Sequence, residues 1–88
     1  MDIRSDKTVI VDFGATWCGP CRIMKPILEE IAKEFDSCEV IIIDVDNNPG
    51  LASEYKISAV PTIVIFKNGV ESSRLIGLKN KDEIVKLI

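Results

Sequence analysis

Apolar positions fall in blocks of different period along the chain. Thr8-Val9-Ile10-Val11-Asp12-Phe13 is a β-branched run closed by Gly14. Continuous rather than alternating apolarity marks a strand covered on both faces, so this run predicts a buried strand. Asp12 is its one charged member. From Pro20 to about Phe35 the period becomes helical. Ile23, Ile27, Ile31 and Phe35 recur every four residues, with Leu28 and Ala32 widening the stripe. Glu29 and Lys33 are spaced for an ion pair on the opposite side, and Pro26 inside the segment predicts a kink. Val40 to Val45 reads as a second buried strand. Asn48-Pro49 then reads as an N-cap with proline in the first turn, opening a short helix through Leu51, Ala52 and Tyr55 that ends near Lys56. Thr62–Lys67 is a third strand. Asn68-Gly69 is a strong hairpin signal and leads into a fourth strand, about Val70–Ile76, closed by Gly77. Asn80 is placed to cap a last helix with Ile84, Val85, Leu87 and Ile88 on its apolar side.

The predicted order is β-α-β-α-β-β-α. A helical crossover makes the first two strands parallel, and the hairpin makes the last two antiparallel. The expected architecture is an α/β sandwich: a mixed four-stranded sheet with helices on its faces. No repeat, linker or low-complexity tract divides the chain, so residues 1–88 are expected to form one domain. An 88-residue chain buries only roughly 60–65% of its unfolded surface, and the 47% hydrophobic content supplies a core for it.

Composition narrows the chemistry. Eleven Lys and Arg against fourteen Asp and Glu leave a net charge of −3, which argues against nucleic acid as a partner. No apolar run approaches the roughly 18 residues of a membrane span, and the N-terminal residues show no secretory apolar region, so a cytoplasmic setting is expected. The absence of histidine removes Ser-His-Asp and Cys-His catalysis and histidine-ligated metals. Chemistry then falls to carboxylates, lysines and three cysteines.

Trp17-Cys18-Gly19-Pro20-Cys21 sits between the first strand and the long helix. Cysteines at i and i+3 in a first helical turn have Cβ atoms roughly 5–6 Å apart. A disulfide wants about 3.5–4.5 Å, so a small tightening interconverts dithiol and disulfide. Cys18 falls at the N-cap, where unpaired N–H groups and the helix dipole favour a thiolate, while Cys21 lies one turn inside. An exposed nucleophile with a shielded resolving partner is what thiol–disulfide exchange requires. A metal site needs about four ligands, and only Cys38 remains to join the pair, so none is expected. A structural bridge across two residues closes too small a loop to stabilise much. Asp12, alone in an apolar strand, is either buried with a raised pKa or ends the strand at solvent.

Val11-Asp12-Phe13, Trp17-Cys18-Gly19-Pro20-Cys21, Asn48-Pro49, Val60-Pro61-Thr62 and Phe66-Lys67-Asn68-Gly69 together resemble the thioredoxin family, over nearly the whole chain from about Val9. The resemblance implies a thioredoxin-like three-layer sandwich and a protein-disulfide reductase active in redox homeostasis. Cys18 would attack, Cys21 would resolve, and Asp12 would take or relay the proton of Cys21. Pro61 would be a cis-proline facing the pair. Backbone of Val60 would pair with substrate as an added strand, with Trp17, Gly19, Pro20 and Gly77 completing the binding surface. For Trp17 a place in the core, for Pro61 an ordinary strand entry and for Gly77 a plain turn are the alternatives. Implied partners are disulfide-bearing proteins and a thioredoxin-reductase-type electron donor. The redox-active Cys18–Cys21 pair would stand in place of a cofactor. A redox-silent binding module and a disulfide oxidase or isomerase are the other functions open to this fold. Gly19-Pro20 weighs against the oxidase, and the intact cysteine pair against the silent module.

The chain also departs from the family pattern. About seven residues precede Thr8, too few for the strand–helix unit with which members usually begin. The strand Val40–Val45 is therefore expected at a sheet edge, covered in part by Ile3 and its neighbours. The chain is expected to be a monomer, with a dimer through that edge as the alternative. Gly14 stands where many members carry tryptophan, and Ile42 where many bacterial members carry a lysine near the buried aspartate. Asp44-Val45-Asp46-Asn47-Asn48 is similar to the start of a calcium-binding loop, but Pro49 and Tyr55 occupy its required glycine and glutamate positions, so it reads as a solvated strand end. Cys38 reads as incidental.

Overall fold

The structure, a computed structural model, describes residues 1–4 and 6–88. Seven elements follow one another: β1 (Thr8–Gly14), α1 (Gly19–Glu34), β2 (Cys38–Asp44), α2 (Pro49–Glu54), β3 (Thr62–Lys67), β4 (Val70–Ile76) and α3 (Lys81–Val85). They form one four-stranded sheet in the order β2-β1-β3-β4. β1 pairs parallel with β2, placing Asp12 opposite Ile42 and Gly14 opposite Asp44. β1–β3 and β3–β4 are antiparallel. The β3–β4 turn has positive φ at both Asn68 (55°) and Gly69 (79°), the pairing that suits a two-residue hairpin.

Alternation along the central strand β1 divides the core. Ile10 joins Met24, Leu28 and Ile31 of α1, Ile63 and Ile65 of β3, and Ile84 of α3 on one face. Val9, Val11 and Phe13 join Val64 and Phe66 on the other, under Leu51, Tyr55 and Ile57. Tyr55 spans that second layer, its ring 5.7 Å from those of both Phe13 and Phe66. The result is three layers with the sheet in the middle. By period-two alternation Asp12 and Gly14 share the α1 face with Ile10.

Several local expectations are corrected. The stripe that α1 buries is Cys21, Met24, Leu28 and Ile31, whereas Ile23 and Ala32 are exposed and Ile27 and Phe35 half-buried. No Glu29–Lys33 ion pair forms among the described residues. Instead Lys81 pairs with Glu30 (2.9 Å) and Glu34 (2.7 Å), tying α3 to α1. β2 stands at the sheet edge as expected, but it is not a fully buried strand: Val40 packs on the α1-side cluster and Ile41 and Ile43 on the α2-side cluster while half-exposed, and Cys38 is its one buried residue. Ile3 packs on the α2-side cluster, and Arg4 lies against Gly69 in the β3–β4 turn. No described strand pairs with the outer edge of β2. Asn48 is the N-cap of α2 in position only, because its amide donates to the Asp44 carbonyl at 3.0 Å.

At α3 the expected cap is present in reciprocal form. Asn80 Oδ1 accepts from the Glu83 N–H and Glu83 Oε2 accepts from the Asn80 N–H, both at 2.9 Å. Asn80→Ala is expected to lower stability by about 1 kcal/mol, read as a fall in the urea midpoint.

Candidate functional site

Cys18 has extended backbone (φ −91°, ψ 114°) and caps α1. Its Sγ accepts a hydrogen bond from the Cys21 N–H at 3.2 Å, satisfying one of the helix's orphan donors. Its own N–H donates to the Ala15 carbonyl at 3.2 Å. Pro20 stands in the first turn, where a missing N–H leaves nothing unpaired. Cys18 and Cys21 are disulfide-bonded, with Cα atoms 5.3 Å apart. Both sulfurs lie in a small apolar cluster with Ala15, against Val45 and Val60. Gly19, Pro20 and Trp17 are exposed beside them.

Two interactions fix the loop before the helix. Arg22 reaches back from the first turn and donates through Nη2 (2.7 Å) and Nε (3.2 Å) to the Thr16 carbonyl. Trp17 is not a core residue: it is 67% exposed, and its Nε1–H donates to Asp46 Oδ2 at 2.8 Å. Asp46 is itself positioned by its N–H donating to Asp44 Oδ1 at 2.8 Å. The acidic stretch after β2 is therefore more than a solvated strand end, since it anchors the indole. Nothing in the sequence pattern marks that bond across 29 residues, nor the Arg22 clasp.

The Val60–Pro61 peptide is cis. The Pro61 carbonyl accepts from the Gly77 N–H at 2.9 Å, with Gly77 at φ +89°, a conformation in which a Cβ is strained. A cavity of about 560 Å³ runs beside these residues, lined by Trp17, Val45, Pro49, Ala52, Ile57 and Val60 among others. Cys18, Trp17 and Val60 thus share one surface, although they lie far apart in the sequence.

Asp12 does not end β1 at solvent. It is 2% exposed, its Oδ1 has no hydrogen-bond partner, and burial pushes its pKa up to about 6. It lines a second cavity, of about 330 Å³, between the start of α1 and the β1–β2 end of the sheet. Gly14, Cys21 and Ile42 share that wall, with Arg22 and Lys25 among the other lining residues. A Cβ on Gly14 would stand 3.2 Å from Cys21 Sγ and 3.9 Å from Asp12 Oδ1, so the two functional groups meet around this glycine. Cys38 is a free thiol buried at the start of β2, and burial raises its pKa. Among the described residues no group of acids and cysteines is arranged to hold a metal ion, and no helix is long and apolar enough to cross a membrane.

Comparison with known proteins agrees with this geometry. The thioredoxin family model matches residues 1–88. The chain is 44% identical over 80 residues to a thioredoxin of Chlamydia trachomatis, covering 91% of this chain and 78% of that one. It is 45% identical over 87 residues to a thioredoxin of Rickettsia prowazekii, covering 98% and 83%. Among solved structures, a mutant thioredoxin from Halobacterium salinarum superposes with a TM-score of 0.91 at 39% identity, covering 97% of this chain and 74% of that one.

Proposed function

The chain belongs to the thioredoxin family and is a thiol–disulfide oxidoreductase, and from that premise we propose that it is a general protein-disulfide reductase. The observation that identifies the attacking sulfur is the place of Cys18 at the N-cap of α1, with the Cys21 N–H pointing at its sulfur. In the reduced protein the same N–H and the helix dipole stabilise a Cys18 thiolate. That thiolate attacks a substrate disulfide, forming a mixed disulfide and releasing one substrate sulfur. Cys21 then attacks Cys18 Sγ, freeing the second substrate sulfur and restoring the bridge. Its proton passes to Asp12, whose unpartnered Oδ1 is buried beside Gly14, the glycine that Cys21 Sγ also packs against.

Substrate would lie over Trp17, Gly19 and Pro20, and pair as an added strand with the backbone of Val60 beside cis-Pro61 and Gly77. The Asp46 bond holds the indole in that surface. The dithiol carries the electrons, so a separate cofactor is not called for. The donor is a thioredoxin-reductase-type enzyme, and a reducing compartment such as the cytoplasm is where the cycle runs in this direction.

The test is reduction of insulin disulfides with a dithiol as recycling reductant. The protein is expected to accelerate precipitation of the freed chains well above the dithiol alone. No acceleration would refute the reading.

A further inference from the structure

Packing does little to hold the segment that presents Trp17. Thr16 and Trp17 are both exposed, and the indole belongs to none of the three apolar clusters. The turn closes on itself through the Cys18 N–H and the Ala15 carbonyl, 3.2 Å apart. Two side chains from outside the turn do the rest: Asp46 accepts from the indole N–H, and Arg22 donates to the Thr16 carbonyl. Helix side chains lean toward the N-terminus, so a long one four residues past the N-cap lies back over the first turn. Nε and Nη2 of Arg22 form one edge of a planar guanidinium. Both donate to the same oxygen, at 3.2 and 2.7 Å, which sets the direction of that carbonyl as well as its distance. The backbone N–H of Arg22 donates to the Cys18 carbonyl at 3.3 Å. One residue thus holds the carbonyls on both sides of Trp17.

We propose that Arg22 is a positioning residue for substrate recognition: with Asp46 it forms a two-point mount that keeps Trp17 on the docking surface for protein disulfides. Asp46 fixes the polar edge of the indole and leaves its backbone free to swing. Arg22 fixes the backbone and leaves the ring free to turn. Loss of either anchor therefore releases the segment, and a protein substrate then has to order it on binding. The guanidinium makes no bond to Cys18 Sγ, which accepts from the Cys21 N–H. A small disulfide needs that sulfur and little of the indole, so the mount acts on which disulfides are taken rather than on the exchange step. The proposal rests on the reading of Trp17 as part of the substrate surface.

Trp17 is the one tryptophan of the chain, so its fluorescence anisotropy reports on the mount directly. In the reduced wild-type protein the indole is expected to tumble with the whole chain, and in Arg22→Met to gain a separate fast component. An unchanged decay would overturn the proposal. Insulin and bis(2-hydroxyethyl) disulfide are then compared in single turnovers of the reduced protein. Arg22→Met is expected to slow the reaction with insulin about tenfold and that with the small disulfide about twofold at most. Arg22→Lys keeps the charge without the fork and is expected to slow insulin about threefold. An equal loss on both substrates would overturn the proposal by showing general damage to the site. Wild-type behaviour of Arg22→Lys beside a defective Arg22→Met would overturn it by showing an effect of charge alone. Adding Asp46→Ala to Arg22→Met is expected to cost little beyond the worse single variant, whereas losses that multiply would contradict a shared mount. Failure of the reductase reading shows separately, as wild-type protein that does not reduce insulin, and the anisotropy still decides whether Arg22 holds the indole.

Discussion

Cys18→Ser is expected to bring insulin reduction down to the background of the recycling dithiol, a loss of about a thousandfold or more, as for other nucleophiles acting within a catalytic unit. No other cysteine substitutes for it: Cys21 lies a turn inside α1, and Cys38 is buried at the start of β2. Cys21→Ser is expected to abolish turnover as fully but to leave a different trace. The Cys18 thiolate still attacks, nothing resolves the product, and a mixed disulfide with substrate accumulates. A non-reducing gel separates the cases, with a covalent complex for Cys21→Ser and none for Cys18→Ser. Retained turnover in either variant would contradict the assigned roles.

Asp12→Asn is expected to stabilise the oxidised protein at neutral and higher pH. A carboxyl ordinarily near 3.8 and pushed to about 6 by burial holds its proton more tightly folded than unfolded. Below 3.8 it is protonated in both states and costs nothing. Between 3.8 and 6 the unfolded chain ionises first, and stability falls as pH rises. Above about 6 the full penalty is present, about 3 kcal/mol for the rise from 3.8 to about 6. Asn removes the ionisation, less what its own buried amide lacks in partners. Urea unfolding is therefore expected to show a gain of up to about 3 kcal/mol at about pH 8 that fades by about pH 4. A gain independent of pH, or a loss at the alkaline end, would show that Asp12 is not held as an unpaired buried acid. The same substitution is expected to slow release from the mixed disulfide, the trade of stability for function common at such sites.

Much of this arrangement is legible in the sequence where local chemistry decides it. β3 runs over Thr62–Lys67, Asn68-Gly69 turns the hairpin and Asn80 caps α3, because each depends on a few adjacent residues. The buried stripe of α1 is less legible. Steps of four residues advance about 400°, so Ile23, Ile27, Ile31 and Phe35 drift by about 40° per step around the helix. Only Ile31 of these sits in the core, whereas the mixed steps of Cys21, Met24, Leu28 and Ile31 hold one direction. Continuous apolarity in β2 looks like burial on both sides, yet exposure there is set by which strands flank it, a property of the whole sheet.

The site divides in the same way. Cys18, Cys21 and their N-cap setting follow from one pentapeptide. The bond from Trp17 to Asp46 depends on how β2 ends beside the loop, and no periodicity announces it. Gly14 and Ile42 stand out singly as departures from the family pattern. Only the β1–β2 register, with Asp12 beside Ile42 and Gly14 beside Asp44, brings them to one cavity behind Cys21.

The reduction potential of the Cys18–Cys21 pair, obtained by equilibration with dithiol buffers of known poise, bears most directly on the direction of this chemistry. A value near about −270 mV, that of thioredoxin, is expected for a reductant working in a reducing compartment. A value of about −120 to −180 mV would place the pair with disulfide oxidases and isomerases and contradict the assignment as a reductase.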